Sequence, residues 1–319
     1  MSLHLVLQLL LLQVLQLSMA SVSSGNGKVA VSVSGEGDQD WSTFWNKPIR
    51  LRVALVRHGE SMNNVHEAIS RASYLANRHH DPNLSERGAR QAKLLGEYLH
   101  DQSRSQPVLG VHPVAELWVS PVKRTLQTMA PTAAALGLSP QVNTKLFEAG
   151  GIFASVAPNT NSTSYGETRA LPGLTRSEMM ALFPSYTLPP DVTDEGWYFR
   201  PDSSTSGRES TKECRARARG VAGDFKAIAA NLDADKNVVC VVHYDFMSAL
   251  LDELIIPERP HVGSFVNWHH FNTAITVVDI SKDGAVSLNV LNSVGHLTAG
   301  AAGVSGVDES ASLISGFAL

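Results

Sequence analysis

The order of elements along the chain predicts an α/β fold, a three-layer α/β/α sandwich with a mostly parallel central sheet and a cap-like insertion. Short apolar segments rich in Val and Leu, typical of strands buried on both faces, alternate with segments of helical spacing. A polar, Pro-rich stretch at about 154–200 interrupts this alternation and predicts the insertion. No internal repeat is visible, which favours one layered domain.

Three apolar segments predict adjacent, mostly parallel strands at residues 51–56, 117–119 and 238–242. A short strand is expected from 141 to 146. Two later segments, at 273–280 and 285–292, are separated by Lys-Asp-Gly and predict a hairpin.

Helices are predicted where apolar residues recur on one face. Ser85 stands at the N-cap of the helix that we expect at 85–101. Another is expected between Pro121 and Gly137, with a kink or a split at Pro131. Further helices are predicted at 209–231 and after 243.

The composition limits the classes of function. The chain has 319 residues, and its 43% apolar and 18% charged residues are typical of a globular protein with a substantial core. A net charge of −4 argues against nucleic acid as a partner. Cys214 and Cys240 are the two cysteines, too few for a disulfide framework or a zinc site.

The two ends of the chain differ in composition from the domain expected at 46–296. Residues 1–20 are dominated by Leu and Val and end in small residues, which predicts a signal peptide or signal-anchor. The alternative is a disordered extension, because no Lys or Arg precedes the apolar run. Residues 21–45 predict a flexible linker, and residues 297–319 a flexible tail.

Localisation depends on this N-terminal segment. A signal peptide implies the secretory pathway or the extracellular space, and its absence implies the cytoplasm. Membrane association is expected only through this segment. The sequons at Asn83 and Asn161 matter only in a secreted protein.

Ionisable residues follow the ends of the predicted strands. Arg57 and His58 come directly after the strand at 51–56, and His243 follows the strand at 238–242. Arg124 enters the helix after a third strand, and Glu148 follows the short strand near 146. Because the carboxyl ends of parallel strands meet at one edge of a sheet, we expect these side chains to converge.

The chemistry that suits this set is phosphoryl transfer through a phosphohistidine. His58 is a competent nucleophile if one ring nitrogen is held by a hydrogen bond. Arg57 and Arg124 would grip the phosphoryl oxygens, so that neither a metal nor another cofactor is needed. Glu148 is the candidate acid for the leaving group and base for the incoming water.

Four segments together resemble the histidine phosphatase superfamily, which includes cofactor-dependent phosphoglycerate mutases and many phosphatases. They are RHGES at 57–61, LSERG at 84–88, SPVKRTLQT at 120–128 and VVHYD at 241–245. The resemblance implies that His58 is phosphorylated and that Arg57, Arg124 and His243 bind the phosphate, with Glu148 as acid and base. It also implies that Ser61 and Asn64 contact phosphate or substrate, and that Asn272 is a polar neighbour of the second histidine.

Two positions depart from the family pattern. Tyr244 follows His243 where many relatives have Gly, and the segment KLFEAGG around Glu148 lacks the Arg found in mutases. We therefore expect a metal-independent, histidine acid-type phosphomonoesterase acting on a small-molecule phosphate ester or a phosphorylated side chain. The alternatives are a mutase-like phosphotransferase and a non-catalytic phospho-ligand-binding protein. Residues 197–200 of the insertion either line a substrate-specificity cap or pack it.

Overall fold

The computed structural model describes residues 48–101, 109, 113–156, 165–200, 207–257, 268–299 and 313–315. The predicted N-terminal segment, the linker and Asn161 lie outside these residues. The strands are β1 (Ile49–Arg57), β2 (Val114–Val119), β3 (Gln141–Val142), β4 (Phe153–Ser155), β5 (Thr168–Ala170), β6 (Lys236–Val242), β7 (Ile275–Ser281) and β8 (Val286–Ser293). The helices are α1 (Met62–Ile69), α2 (Arg71–Asn77), α3 (Glu86–His100), α4 (Lys123–Leu136), α5 (Arg176–Leu182), α6 (Thr211–Asn231), α7 (Tyr244–Ile255) and α8 (Gly295–Ala299).

The central sheet has six strands in the order β3-β2-β6-β1-β7-β8. Strand β6 pairs in parallel with β1, where Val53 lies opposite Val238, and also in parallel with β2. Strands β7 and β8 form an antiparallel hairpin that extends the sheet beyond β1. The predicted parallel trio and the predicted hairpin are both confirmed.

Helices cover both faces of this sheet. Val53 and Leu55 of β1 pack in one buried cluster with α6 and α7, whereas Ala54 and Val56 pack in a second cluster with α3 and α4. Successive residues of a strand point to opposite faces, so a strand with apolar residues on both faces needs cover on both. The three-layer α/β/α prediction is confirmed.

Helix α4 runs through Pro131 without interruption, so the predicted split is wrong. The physical reason is close packing against α3: a Cβ atom on Gly96 would lie 2.9 Å from the main-chain carbon of Pro131. Pro131 has no main-chain N–H, so one helical hydrogen bond is missing at this turn of α4. The contact with α3 stabilises the turn in its place. Gly137 ends the helix with φ of 65°, as predicted.

The insertion contains the β4–β5 ribbon and helix α5. Trp197 and Tyr198 are buried, with ring centroids 5.7 and 5.3 Å from that of Phe147. Phe199 is 60% exposed, and Arg200 pairs with Glu213 at 2.9 Å. Trp197 and Tyr198 therefore pack the base of the insertion, which was one of the two expectations for this segment.

The domain boundaries stay predictions. Part of the predicted flexible tail, residues 313–315, packs against the domain. Leu313 is buried, and the Ser315 carbonyl accepts a hydrogen bond from the Asn272 main-chain N–H at 2.8 Å. None of the helices in the described ranges has the length and apolar character needed to cross a bilayer.

Candidate active site

Arg124 joins the two histidines that follow the parallel strands. Its Nε donates to His58 Nε2 at 3.0 Å, and its Nη2 donates to His243 Nδ1 at 2.9 Å. The two imidazole centroids lie 5.3 Å apart. Since β1 and β6 are adjacent and parallel, the residues after their last positions emerge at the same edge. The predicted convergence of these three side chains is confirmed.

The hydrogen bonds define the neutral tautomer of each ring. Nδ1 of His58 donates to the Gly59 carbonyl at 2.7 Å, which leaves Nε2 as the acceptor facing Arg124. Nε2 of His243 donates to Ser120 Oγ at 2.7 Å. Burial first, and then the charge of Arg124, hold the pKa of both imidazoles well below the usual range. Both rings are therefore neutral, and His58 Nε2 carries a lone pair.

Arg57 is buried at the end of β1 and faces the same edge. Its Nη1 donates to the His270 carbonyl at 2.7 Å, and its guanidinium lies 5.0 Å from the centroid of the Tyr244 ring. Its charge also lowers the pKa values of His58 and His243, after burial and the charge of Arg124. Tyr244, the residue that departs from the family pattern, thus lies against a predicted phosphate ligand.

Glu148 lies after the 3₁₀ turn Thr144–Leu146, at the N-terminus of α7. Its Oε1 accepts from the main-chain N–H of Ala149 at 2.8 Å and of Phe246 at 3.0 Å. Burial, followed by the negative charge of Asp245, raises the pKa of Glu148 to about 7. A carboxyl group with that pKa is protonated in a large fraction of molecules at neutral pH, as a general acid requires.

Ser61 and Asn64 form the N-terminal cap of α1. Ser61 Oγ accepts from the Asn64 main-chain N–H at 3.3 Å, and Asn64 Oδ1 accepts from the Ser61 main-chain N–H at 3.1 Å. This reciprocal capping box explains the polar residues at this spacing. Contact of either side chain with phosphate or substrate stays a prediction.

Asn272 contacts the main chain of the candidate nucleophile, His58. It is fully buried, and its Nδ2 donates to the His58 carbonyl at 3.0 Å. Its described contact is therefore with the main chain of His58, whereas the resemblance suggested a place beside the second histidine.

The sequence did not identify three further residues that hold the site. Ser120 orients His243, as described above, and Thr128 Oγ1 accepts from the Gly59 main-chain N–H at 2.9 Å. Oε1 of the buried Gln91 accepts from the Glu60 main-chain N–H at 2.8 Å. Ser120 and Thr128 are the first and last polar residues of SPVKRTLQT, the one sequence signal that pointed to them.

The segment LSERG braces the turn that carries the nucleophile. Glu60 accepts from Ser85 Oγ at 2.7 Å and from Arg87 Nη1 at 2.9 Å. A Cβ atom on Gly88 would lie 2.0 Å from the Glu60 carbonyl oxygen, and one on Gly59 would lie 2.6 Å from the Gly88 carbonyl oxygen. Both glycines are thus required by close approach of two main chains.

Other candidate ligands do not assemble into a second centre. Within the described ranges, no three or more His, Cys, Asp and Glu side chains are placed to hold a metal ion. Cys214 and Cys240 are free and buried, and burial raises the pKa of both thiols. His79 and His80 stack on each other, with ring centroids 4.2 Å apart.

A comparison with protein families identifies the class to which this fold and site belong. The model of the histidine phosphatase superfamily (branch 1) matches residues 53–170 and 163–293, most of the chain. The chain belongs to the histidine phosphatase superfamily. No curated protein matches it.

Solved structures of several phosphatases are similar to this chain at low identity. A putative alpha-ribazole-5'-P phosphatase from Escherichia coli is 17% identical with a TM-score of 0.48, over 76% of this chain and 97% of that one. Mycobacterial glucosyl-3-phosphoglycerate phosphatase, complexed with VO3, is 21% identical with a TM-score of 0.45, over 76% and 99%. Phosphoserine phosphatase from Entamoeba histolytica, in complex with 3-phosphoglyceric acid, is 17% identical with a TM-score of 0.46, over 77% and 98%.

Proposed function

We propose that the protein is a phosphomonoesterase that hydrolyses phosphate esters through a phosphohistidine on His58. The observation that carries this proposal is the position of Arg124 between the two neutral imidazoles, 3.0 Å from His58 Nε2 and 2.9 Å from His243 Nδ1. The guanidinium of Arg124 offers N–H donors for the phosphoryl oxygens, and the lone pair of His58 Nε2 faces the same point for attack on phosphorus. The fold of the superfamily is consistent with this chemistry.

In the first step, His58 Nε2 attacks phosphorus while the ester P–O bond breaks. The Nδ1–H···O=C bond to Gly59 keeps the ring oriented and stabilises the positive charge that the imidazole gains. The N–H donors of Arg124 transfer from the histidines to the phosphoryl oxygens. Glu148, with its pKa raised to about 7, gives its proton to the leaving alkoxide.

In the second step, the ionised Glu148 takes a proton from water as the water oxygen attacks the phosphohistidine. The N–P bond breaks, inorganic phosphate leaves, and His58 returns to its neutral form while Glu148 regains its proton. Arg57 and Arg124 balance the anionic charge in both steps, so the proposed cycle requires no metal ion.

The central test is to trap the intermediate and to remove the nucleophile. Rapid quenching of the full-length protein with a ³²P-labelled aryl phosphate is expected to yield an acid-labile, alkali-stable phosphoprotein. His58→Ala is expected to lose this label and to lower kcat by at least about 10³-fold, because no other group replaces the nucleophile.

A matched control separates the nucleophile from histidines in general. His100, exposed at the end of α3, lies outside the site, so His100→Ala should retain label and turnover. Turnover that survives in His58→Ala would overturn the mechanism. Transfer of phosphate to 3-phosphoglycerate in the presence of its bisphosphate primer, without release of free phosphate, would instead identify a mutase.

A further inference from the structure

Two buried amide side chains hold the main chain on either side of Gly59. Oε1 of Gln91 accepts from the Glu60 main-chain N–H at 2.8 Å, and Nδ2 of Asn272 donates to the His58 carbonyl at 3.0 Å. Both side chains are fully buried. They come from different parts of the fold, since Gln91 lies on α3 and Asn272 lies three residues before β7.

The hydroxyl group of Ser315 connects the two amides. Ser315 Oγ accepts from Gln91 Nε2 at 3.0 Å and donates to Asn272 Oδ1 at 3.1 Å. The main chain of the same C-terminal segment binds both residues as well. The Leu313 carbonyl accepts from Gln91 Nε2 at 2.5 Å, and the Ser315 carbonyl accepts from the Asn272 main-chain N–H at 2.8 Å. The Leu313 side chain is buried, so apolar burial also holds the segment in place.

These hydrogen bonds form a chain that runs in one direction. The chain begins at the Glu60 N–H and ends at the His58 carbonyl. Between these ends, each side chain accepts from the group before it and donates to the group after it, in the order Gln91, Ser315 and Asn272. A main-chain N–H can only donate and a carbonyl can only accept, so the two ends fix the direction. Bonds aligned in this way polarise and strengthen one another.

The two ends of the chain lie on the two peptide groups that position the nucleophile. The carbonyl of the His58–Gly59 peptide accepts from Asn272. The N–H of the Gly59–Glu60 peptide donates to Gln91, and the carbonyl of that same peptide accepts from His58 Nδ1 at 2.7 Å. Because a peptide group is planar, its N–H and its carbonyl turn together. Gln91 therefore controls where the acceptor of the imidazole lies.

A hydroxyl group suits the middle of this chain because it donates and accepts at once. A buried amide can turn over and exchange its oxygen and nitrogen. If Asn272 did so, its oxygen would face the His58 carbonyl, and two buried acceptors would meet without a donor. Ser315 opposes this exchange, since its O–H then loses the acceptor that Asn272 Oδ1 provides.

The main chain beside Asn272 is held equally closely. Thr273 has φ of 57°, a left-handed conformation that β-branched residues rarely adopt and that persists only where neighbouring groups hold it. Its N–H donates to the Arg57 carbonyl at 3.0 Å, and its Oγ1 lies 3.0 Å from Nε2 of the buried His296. Ser315 thus binds a segment that is itself fixed against the end of the strand that leads to the nucleophile.

We infer that Ser315 is a positioning residue for the nucleophile. Its hydroxyl fixes the direction of both amides, and the amides fix the two peptide groups that orient the His58 ring. A segment of the predicted tail, residues 313–315, is therefore part of the machinery of the reaction. This inference rests on the proposed phosphatase activity and deepens it.

The expected effect is on kcat and not on substrate binding. Ser315→Ala should lower kcat, and the rate at which the phosphoenzyme forms in a single turnover, by about 3-fold to 10-fold, the range of one lost hydrogen bond, with KM unchanged within about 2-fold. Ser315→Thr keeps the hydroxyl and should restore both rates. Ser287→Ala, the same change at an exposed position of β8, should leave both rates unchanged.

A double-mutant cycle tests the route through Asn272. Asn272→Ala removes the donor to the His58 carbonyl and should lower kcat by at least about 10-fold. In that background Ser315→Ala should lower kcat by less than about 2-fold, because the chain is already broken. Additive losses would show that Ser315 does not act through Asn272. If Asn272→Ala does not fold, the comparison of Ser315→Ala with Ser315→Thr decides.

The ¹⁵N chemical shifts of the His58 ring give a readout that is independent of turnover. In the wild-type protein they should be those of the Nδ1–H tautomer, which the Gly59 carbonyl stabilises. In Ser315→Ala they should move toward those of the Nε2–H tautomer, because the carbonyl is held less firmly. They should stay at the wild-type values in Ser315→Thr and Ser287→Ala.

The two levels of the hypothesis fail differently. If the wild-type protein hydrolyses no phosphate ester and forms no phosphoenzyme, the proposed function is wrong, and the His58 shifts still test the role of Ser315. If the wild-type protein is active but Ser315→Ala lowers only the thermal midpoint, or keeps full kcat, the segment is merely structural and this inference is overturned. Failure of Ser315→Thr to restore kcat would overturn it as well.

Discussion

Burial acts in opposite directions on the ionisable residues of the site. It lowers the pKa of His58 and His243, because a buried imidazolium loses hydration and faces Arg124 and Arg57. It raises the pKa of Glu148, because a buried carboxylate loses hydration and faces Asp245. Below pH 7 the nucleophile is therefore still neutral while the acid is already protonated, which is the combination that the first step needs.

The pH profile follows from these directions. For an alkyl phosphate, kcat/KM should be highest on the acid side and should fall as the pH rises through about 7, where Glu148 loses its proton. Glu148→Gln should lower kcat/KM by at least about 10²-fold and remove this fall, as a steady-state pH profile would show. An aryl phosphate with an acidic phenol should be less affected, because its leaving group needs no proton. Equal losses on both substrates would contradict the acid role.

The same carboxyl group should affect stability. Its folded pKa of about 7 lies above the ordinary Glu value of about 4.3, so the folded state binds more protons between these values and loses stability as the pH rises through that window. Glu148→Gln removes the ionisation and should raise Tm by about 2–4 °C at pH 8 while changing it little at pH 4.5. Calorimetry at the two pH values measures this, and a lower Tm at pH 8 would refute it.

At the scale of elements, the site depends on two main-chain segments that touch. The nucleophile turn after β1 approaches the first turn of α3 so closely that Gly59 and Gly88 face each other without side chains. Ser85 caps α3 and also binds Glu60, so the start of the helix and the turn are held by one residue. Helix α3 thus supports the turn in addition to covering the sheet.

An alanine at this contact should disturb both stability and catalysis. In Gly88→Ala the added Cβ would lie 2.0 Å from the Glu60 carbonyl oxygen, so main chain must move. We expect a loss of about 1–3 kcal/mol in the free energy of unfolding and a lower kcat, since His58 lies on the displaced turn. Denaturant unfolding and steady-state kinetics measure these effects.

Helix α6 offers a matched control. Gly223 is exposed, and a Cβ atom there meets nothing within 4 Å. Gly223→Ala should therefore leave kcat unchanged and stabilise the protein by up to ~1 kcal/mol through helix propensity alone. Equal behaviour of the two variants would show that the contact between the turn and α3 does not matter.

At the scale of the whole molecule, the described contacts of the chain ends are those of the C-terminal residues. The C-terminal residues 313–315 lie against Gln91 and Asn272, within hydrogen-bond distance of the groups that hold the nucleophile turn. The N-terminal segment remains a prediction from composition alone. An experiment on this segment therefore measures whether it is cleaved, and not how the domain folds.

Expression of the full chain in a secretory host tests that prediction. A cleaved signal should give a mature N-terminus close to Ser21, because Ser18 and Ala20 satisfy a small-x-small rule. Glycan at the exposed Asn83 would then be expected as well. Intact-mass and peptide mass spectrometry measure both, and a secreted protein that retains residues 1–20 would exclude cleavage.

Much of the fold follows from local sequence. The strand at 51–56, apolar except for Arg52, and the wholly apolar strand at 238–242 imply cover on both faces. The residue after each strand is then placed at the sheet edge by topology alone. For this reason His58 and His243 could be predicted as neighbours, and Arg124 joined them because its helix follows the third strand of the parallel trio. Pro131 shows the limit, because packing of α4 on Gly96 overrides a local helix breaker.

The sequence by itself determined the layers, the neighbouring strands and the residues that meet at the edge, because periodicity and chain direction are local properties. Only the tertiary structure decided the tautomers, the raised pKa of Glu148, the capping bonds of Ser61 and Asn64, and the contacts of Gln91, Asn272 and Ser315. These properties depend on burial and on hydrogen bonds between residues that are distant in the chain. Gln91 and Ser315, for example, are more than 200 residues apart, and no local pattern encodes such a pair.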